Sequence, residues 1–339
     1  MRKTVVVSAK RTPIGNFGGV FKDYSAVKLG VAVLKAILEE TGVKSDQLDE
    51  VILGNVCGCG YGQNVARQVA IYSDVPNHIP AYTVNKVCGS GMKAVTLGAL
   101  MISAGEADII VAGGIENMSQ IPFASMDTRW GGKMGNKELV DLMIRDGLSD
   151  IFNNCHMGIT AENLAERNGI TREQQDVFAV ESHRRASEAQ AAGRFADEIV
   201  PVPVKVKRET VDFVDDEHIR HGADLAAMAK LPAAFKKDGT GTVTAGNASG
   251  MNDAGAALVL MSADKAAELL RRLAQWGSPV LIRRFNASGT TRTSVHRDNT
   301  KTRQAYDVLD GVRFKSQTIG LGSDKAYGQF AYLEADHDG

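Results

Sequence analysis

Val84-Asn85-Lys86-Val87-Cys88-Gly89-Ser90-Gly91-Met92-Lys93-Ala94 is the stretch on which the reading of this chain turns. A cysteine stands at the tip of a turn, glycines flank the serine behind it, and a buried-type helix is predicted from Met92 to Ser103. Glycine permits a sharp strand-to-helix bend and lets a substrate approach the backbone closely. A helix starting there aims its first N–H groups, and the positive end of its dipole, at the sulfur. Such a setting favours a thiolate nucleophile. On residues alone a buried structural thiol fits equally well, because free cysteine is often simply core.

Strand and helix signals alternate on either side of this stretch. Thr4 to Val7 is a short β-branched run, and Ser25 to Glu40 sets Val27, Val31, Leu34 and Leu38 on one helical face with Gly42 as a stop. Val51-Ile52-Leu53 reads as a second strand, and Asp108 to Gly114 as a central strand ending in a turn. This alternation predicts a layered α/β domain over residues 1–118. Residues 119–248 are richer in polar helix, such as Arg172 to Ala192, which opens with the capping-box pattern Thr171-Arg172-Glu173-Gln174 and closes at Gly193. They read as an inserted loop domain with its own small core, and His183 on that helix reads as exposed. Residues 249–270 resume the first domain, with a strand from Asp253 to Ser262 and a helix from Ala263.

Of the 339 residues, 44% are hydrophobic and 23% charged, with a formal net charge of -1, which gives no reason to expect nucleic acid or a membrane as a partner. The start has no signal-peptide core, and no apolar stretch is read as approaching the ~18 residues of a membrane span. Cys57, Cys59, Cys88 and Cys155 are the four cysteines, and free thiols in a reducing cytoplasm are expected. The glycines of Gly58-Cys59-Gly60-Tyr61-Gly62 alternate, unlike a dinucleotide-binding loop. Cys57-x-Cys59 has no partner pair at zinc-site spacing, so no metal is expected. Between Arg283 and Gln304 stand six Lys or Arg, one acid, five Thr and three apolar residues, which reads as loop.

Asn85 to Ala94 resembles the acyl-enzyme motif of thiolases, and four further segments resemble that family in order. Val7-Ser8-Ala9-Lys10-Arg11-Thr12-Pro13-Ile14-Gly15 is similar to its opening strand and turn, and Gly113-Gly114-Ile115-Glu116-Asn117-Met118-Ser119 to its Gly-Gly-x-Glu-x-Met-Ser segment. Asn154-Cys155-His156-Met157-Gly158 resembles the pocket motif of the acetoacetyl-type branch. Thr242 to Gly250, followed by Asn252-Asp253, resembles the close of the loop domain. The resemblance runs from residue 1 to about 280.

It implies a thiolase-like layered fold with an inserted loop domain and an incomplete second half. It also implies acetyl transfer among acetyl-CoA, acetoacetyl-CoA and coenzyme A through an acyl-Cys88 intermediate, no tightly bound cofactor, and a homo-oligomer. Carried over by position, His156 and Met157 would line the acyl and pantetheine pocket, and Ser249 would contact the pantetheine arm. Arg220 would lie near the adenine and phosphates, flanked by Leu148. A guanidinium can stack on a base and pair with phosphate, and a thioether fills an irregular apolar slot.

Family members also use an Asn-Glu-Ala-Phe segment, a Gly-His-Pro segment and a second reactive cysteine. The 339 residues contain neither segment and no cysteine after Cys155. Residues 271–339 therefore read as an aberrant remnant of the second half, the pattern that a shifted reading frame leaves. A non-catalytic acyl-CoA-binding relative, an enzyme with relocated catalytic groups and a ketoacyl synthase-like condensing enzyme are the other readings. An incomplete second half is expected to uncover the apolar runs Ile109 to Ala112 and Ala256 to Met261.

Overall fold

The computed structural model describes residues 2–206, 208–275, 280–285 and 291–296. The first part runs β1 (Thr4–Arg11), β2 (Gly15–Asn16), α1 (Ala26–Thr41), β3 (Glu50–Gly54), α2 (Val65–Tyr72), β4 (Ala81–Val84), α3 (Ser90–Ala104) and β5 (Ile109–Asn117). Next come the short pairs β6 (Phe123–Ala124) with β7 (Val140–Asp141) and β8 (Ser149–Asp150) with β9 (Cys155–His156). Helices α4 (Met157–Asn168) and α5 (Arg172–Ala191), the ribbon β10 (Val202–Val206) and β11 (Glu209–Phe213), and the short α6 (Leu225–Ala229) follow. The chain then returns through β12 (Asn252–Ser262) and α7 (Ala263–Gln275) to a last ribbon, β13 (Val280–Phe285) with β14 (Thr291–His296).

Local chemistry accounts for most of these boundaries. Ser25 caps α1 by accepting from the Lys28 N–H, and Gly42 ends it in the left-handed region at φ 65°. Thr171 and Gln174 form the reciprocal capping box of α5. The central sheet has the order β1-β12-β5-β3-β4, with β3 parallel to β4 and β5, and β12 antiparallel to both β1 and β5. Its strands are apolar on both faces, and alternate residues serve alternate layers. Val51, Leu53, Val111, Val259 and Met261 join the core beneath α1, α2 and α7, whereas Ile52, Ile110, Ala112 and Leu260 face α3.

Several features depart from the sequence reading. The strand β5 does not turn at Gly113-Gly114 but continues to Asn117, because the two glycines let neighbouring backbones pass. A Cβ on Gly113 would overlap the Ala256 carbonyl of β12. Next, the three apolar clusters that draw on residues 119–248 each include first-domain residues, namely Ile14, Phe21 with Leu29, and Cys57. The insertion thus buries apolar side chains against the first domain and not only against itself. His183 is buried, not exposed, because α5 turns small and polar residues inward: Asp176, Ala179, Ser182, His183 and Ala186. Lastly, part of the stretch read as loop after Arg283 pairs as β13 with β14, where Thr291, Thr293 and Val295 supply β-branched residues at period two.

Of the runs expected to lie uncovered, Ile109 to Ala112 are at most 3% exposed and Val259 to Met261 are 0%, while Ala256 and Leu258 are half-buried. The exposed apolar layer is one step further out, on α3. Residues 87–104 form an 18-residue window of mean hydropathy 1.4, long and apolar enough by length and composition to cross a membrane, contrary to the sequence reading. One side of α3 covers the sheet through Ala94, Val95, Gly98 and Ile102, and Leu100 points away from it at 60% exposed.

Candidate active site

Cys88 is exposed in a tight turn between β4 and α3, immediately before Gly89, which caps α3. The turn is closed by its own side chains. Lys86 N–H donates to Ser90 Oγ at 2.8 Å, and Ser90 Oγ–H donates to the Val87 carbonyl at 2.6 Å. Asn85 Oδ1 accepts from Val87 N–H at 2.9 Å, and its Nδ2 donates to the Val56 carbonyl at 3.2 Å. Val87 between them has φ 49°, a left-handed backbone that costs an L residue about 1–2 kcal/mol and is rare for a β-branched one. Close glycine contacts seat the helix behind this turn. A Cβ on Gly54 at the end of β3 would overlap the Ser90–Gly91 backbone, and Gly91 passes Gly114 of β5.

The loop after β3 is held by a carboxylate that sequence reasoning passed over. Glu116 accepts from Asn55 Nδ2, Val56 N–H and, at 3.4 Å, Cys57 N–H. Burial pushes its carboxyl above the ordinary range against these hydrogen bonds. Only the Gly-Gly-x-Glu pattern hinted at it, since nothing local to Glu116 names the loop about sixty residues earlier that it holds. Cys57 next to it is buried, and desolvation, with Glu116 adding, lifts its thiol to about 12. Of these two neighbouring thiols, the exposed Cys88 is suited to attack.

The other residues singled out from sequence fall into two groups. Leu148 ends a π-helix, Met143–Leu148, and packs on the cluster of Cys57, Ile121, Leu142 and Met143. Directly after it, Ser149 pairs with His156 across the β8–β9 ribbon, and Met157, half-exposed, follows at the start of α4. His156 caps α4, its Nδ1 accepting from Gly158 N–H at 3.0 Å. Its ring stacks on Phe235 at 4.7 Å between centroids, a partner not foreseen.

Arg220 and Ser249 form the second group, both exposed. Gly250, beside Ser249, abuts the His218 ring so closely that a Cβ would overlap it. The segment before Arg220 is bonded to the β1–β2 turn. Asp216, its side chain 0% exposed, accepts from Arg11 through both terminal nitrogens at 2.7 and 2.9 Å. Glu217 accepts from the N–H groups of Asn16 and Val20. His218 Nδ1 lies 2.6 Å from Asn16 Oδ1, and Arg220 N–H donates to His183 Nδ1 at 3.3 Å. Both imidazoles lie below the ordinary 6.5, first because burial penalises the cation; at His183 the nearby His218 and then Arg220 add to this, and at His218 Arg220 does. Toward Ser249, Glu162 of α4 accepts from the N–H groups of Thr242 and Val243, and Asn247 Nδ2 donates to Asp176 of α5. Cys88 is tied to the first group through Asn85, Val56 and Cys57, whose sulfur lies against Gly147.

The family model for the thiolase N-terminal domain matches residues 4–264. A probable acetyl-CoA acyltransferase of Staphylococcus aureus (strain COL) is 51% identical over 270 residues, 79% of this chain and 68% of that protein. An acetyl-CoA acetyltransferase of Syntrophomonas wolfei is 52% identical over 270 residues, 79% and 67% of the two chains. The crystal structure of the Bacillus anthracis acetyl-CoA acetyltransferase superposes with a TM-score of 0.76 at 42% identity, covering 79% of this chain and 68% of that one. Sheet order, cysteine turn and sequence likeness coincide over one stretch of residues, and on that ground the chain belongs to the thiolase family.

Proposed function

We propose that Cys88 accepts the acetyl group of acetyl-CoA, the acyl-transfer half of an acetoacetyl-CoA thiolase reaction. The observation that carries this reading is an exposed thiol on a clamped turn that opens directly into the N-terminus of α3. Cys88 Sγ adds to the thioester carbonyl, the bond from that carbon to the coenzyme A sulfur breaks, and the thiol proton leaves with coenzyme A. One thioester replaces another, so the step needs no cofactor or metal. In this reading His156 and Met157 line the acyl and pantetheine pocket, and Leu148 flanks the coenzyme A tunnel. Ser249 meets the pantetheine arm, and Arg220 meets the adenine and phosphates. The contacts of the two groups support it. A homo-oligomer in a reducing cytoplasm belongs to the same reading, with the four free cysteines in its favour.

Incubation with acetyl-CoA, followed by peptide mass mapping, is expected to add one acetyl group at Cys88 and none in Cys88→Ala. Acetylation elsewhere, or coenzyme A binding with no acetyl transfer, would overturn it and favour a binding protein. Carbon–carbon bond formation or thiolysis needs further acid–base groups, which contribute roughly 10²–10⁴-fold each. The Gly-His-Pro segment and a second cysteine beyond Cys155 do not occur among the 339 residues. We therefore expect this chain to cleave acetoacetyl-CoA only at a very low rate. Robust cleavage, lost in Cys88→Ala, would sink that expectation.

A further inference from the structure

Val87 is the residue that a turn of this shape should not choose. The left-handed region is reached routinely by glycine and tolerated by asparagine, whereas a β-branched residue there is an outlier. Val87 is also 53% exposed, so little packing holds its side chain in place. Such strain persists only where the surroundings over-determine it, and it concentrates at functional sites. Here the surroundings can be named. Ser90 Oγ accepts from the N–H of Lys86, the residue before Val87, and donates to the carbonyl of Val87 itself. A single hydroxyl therefore bridges both sides of the strained residue. Ser90 N–H donates to the same Val87 carbonyl at 3.0 Å, and Gly89 N–H to the Lys86 carbonyl at 3.1 Å. Asn85 Oδ1 holds the remaining polar group, the Val87 N–H, and is anchored through Nδ2 to Val56, which Glu116 fixes in turn. Ser90 is 4% exposed, so water does not compete freely for its hydroxyl.

We propose that Ser90, assisted by Asn85, is a positioning residue: its hydroxyl clamps Val87 in the left-handed conformation and so holds the Cys88 thiol over the mouth of α3. If Val87 relaxes to the β or right-handed region, its carbonyl turns away from Ser90. The peptide leading into Cys88 rotates with it, and the sulfur moves relative to the start of α3. The inference deepens the reading of Cys88 as nucleophile and rests on it.

The test is the rate of iodoacetamide labelling at Cys88 against pH, read by peptide mapping, with Cys59 as an exposed internal reference. Ser90→Ala is expected to slow Cys88 about tenfold, the population shift worth the strain of one L residue in that region, and to leave Cys59 unchanged. Val87→Gly placed on top of Ser90→Ala removes the need for the clamp and is expected to restore Cys88 to within about threefold of the parent. A merely structural role for Ser90 would not be rescued this way. Parent-like labelling in Ser90→Ala overturns the proposal, and so does a folded double variant that stays slow. Should Ser90→Ala fail to fold, Asn85→Ala, which opens only the N–H side, is expected to slow labelling and to be rescued by Val87→Gly in the same manner. Absence of that slowing, or of that rescue, overturns the proposal as well. If instead the rescue occurs while acetyl-CoA leaves Cys88 unmodified in the parent, the clamp stands and the nucleophile reading falls.

Discussion

The four thiols of this chain differ in surroundings far more than in chemistry. Cys57 is buried beside Glu116 with its thiol pushed up to about 12, Cys155 is half-buried in a ribbon, and Cys59 and Cys88 are exposed. Limited iodoacetamide treatment is expected to label Cys88 first and Cys57 last, and faster labelling of Cys59 than Cys88 would count against the assignment. A second residue-level outcome concerns His183 and His218, which are held neutral by burial and by Arg220. Stability that depends on a neutral histidine is present above the unfolded value of 6.5 and is lost as pH falls through the depressed folded values. The melting temperature should fall between pH 7 and pH 5, and His183→Gln should flatten that slope; an unchanged slope refutes the coupling. The turn at Cys88 leading into a helix was legible in its glycines. Glu116, Phe235 and the inward turn of His183 were not, because each acts on a residue distant in sequence, and burial of a polar helix face leaves no apolar period to read.

The elements with strong local signals were readable in advance, and those set by long-range approach were not. Helices α1 and α5 begin and end where Ser25, Gly42, Thr171 and Gly193 demand. The extension of β5 through two glycines is intelligible only once β12 and α3 are known to press against them. Gly54 makes the same point and supplies a prediction. Gly54→Ala would drive a methyl into the Ser90–Gly91 backbone, which cannot move without lifting the start of α3 from the sheet. It is expected to cost about 1–3 kcal/mol in denaturant titration and to slow labelling of Cys88. A variant that keeps both parent values would mean that the helix start yields at no cost.

Among the described residues, two layers of helix cover the sheet unequally: α1, α2 and α7 on one face and α3 on the other. Exposed Leu100, with half-buried Leu97 and Met101, is expected to bind a hydrophobic dye, and Leu100→Lys to reduce that binding with a stability change within about 0.5 kcal/mol. A monomer that binds no dye would defeat this. Strand alternation made the layered class legible, but the place of β12 between β1 and β5 was not, because no local signal names a partner so far along the chain. That placement has a consequence for synthesis. About 135 residues separate Asn117 at the end of β5 from Asn252 at the start of β12. At roughly 5–20 residues per second the ribosome needs roughly 7–27 s to deliver the strand that joins them. Throughout that interval β1 and β5 each expose an unpaired edge, an open template for another chain. A nascent polypeptide of this kind must be kept apart from its neighbours until its own β12 arrives.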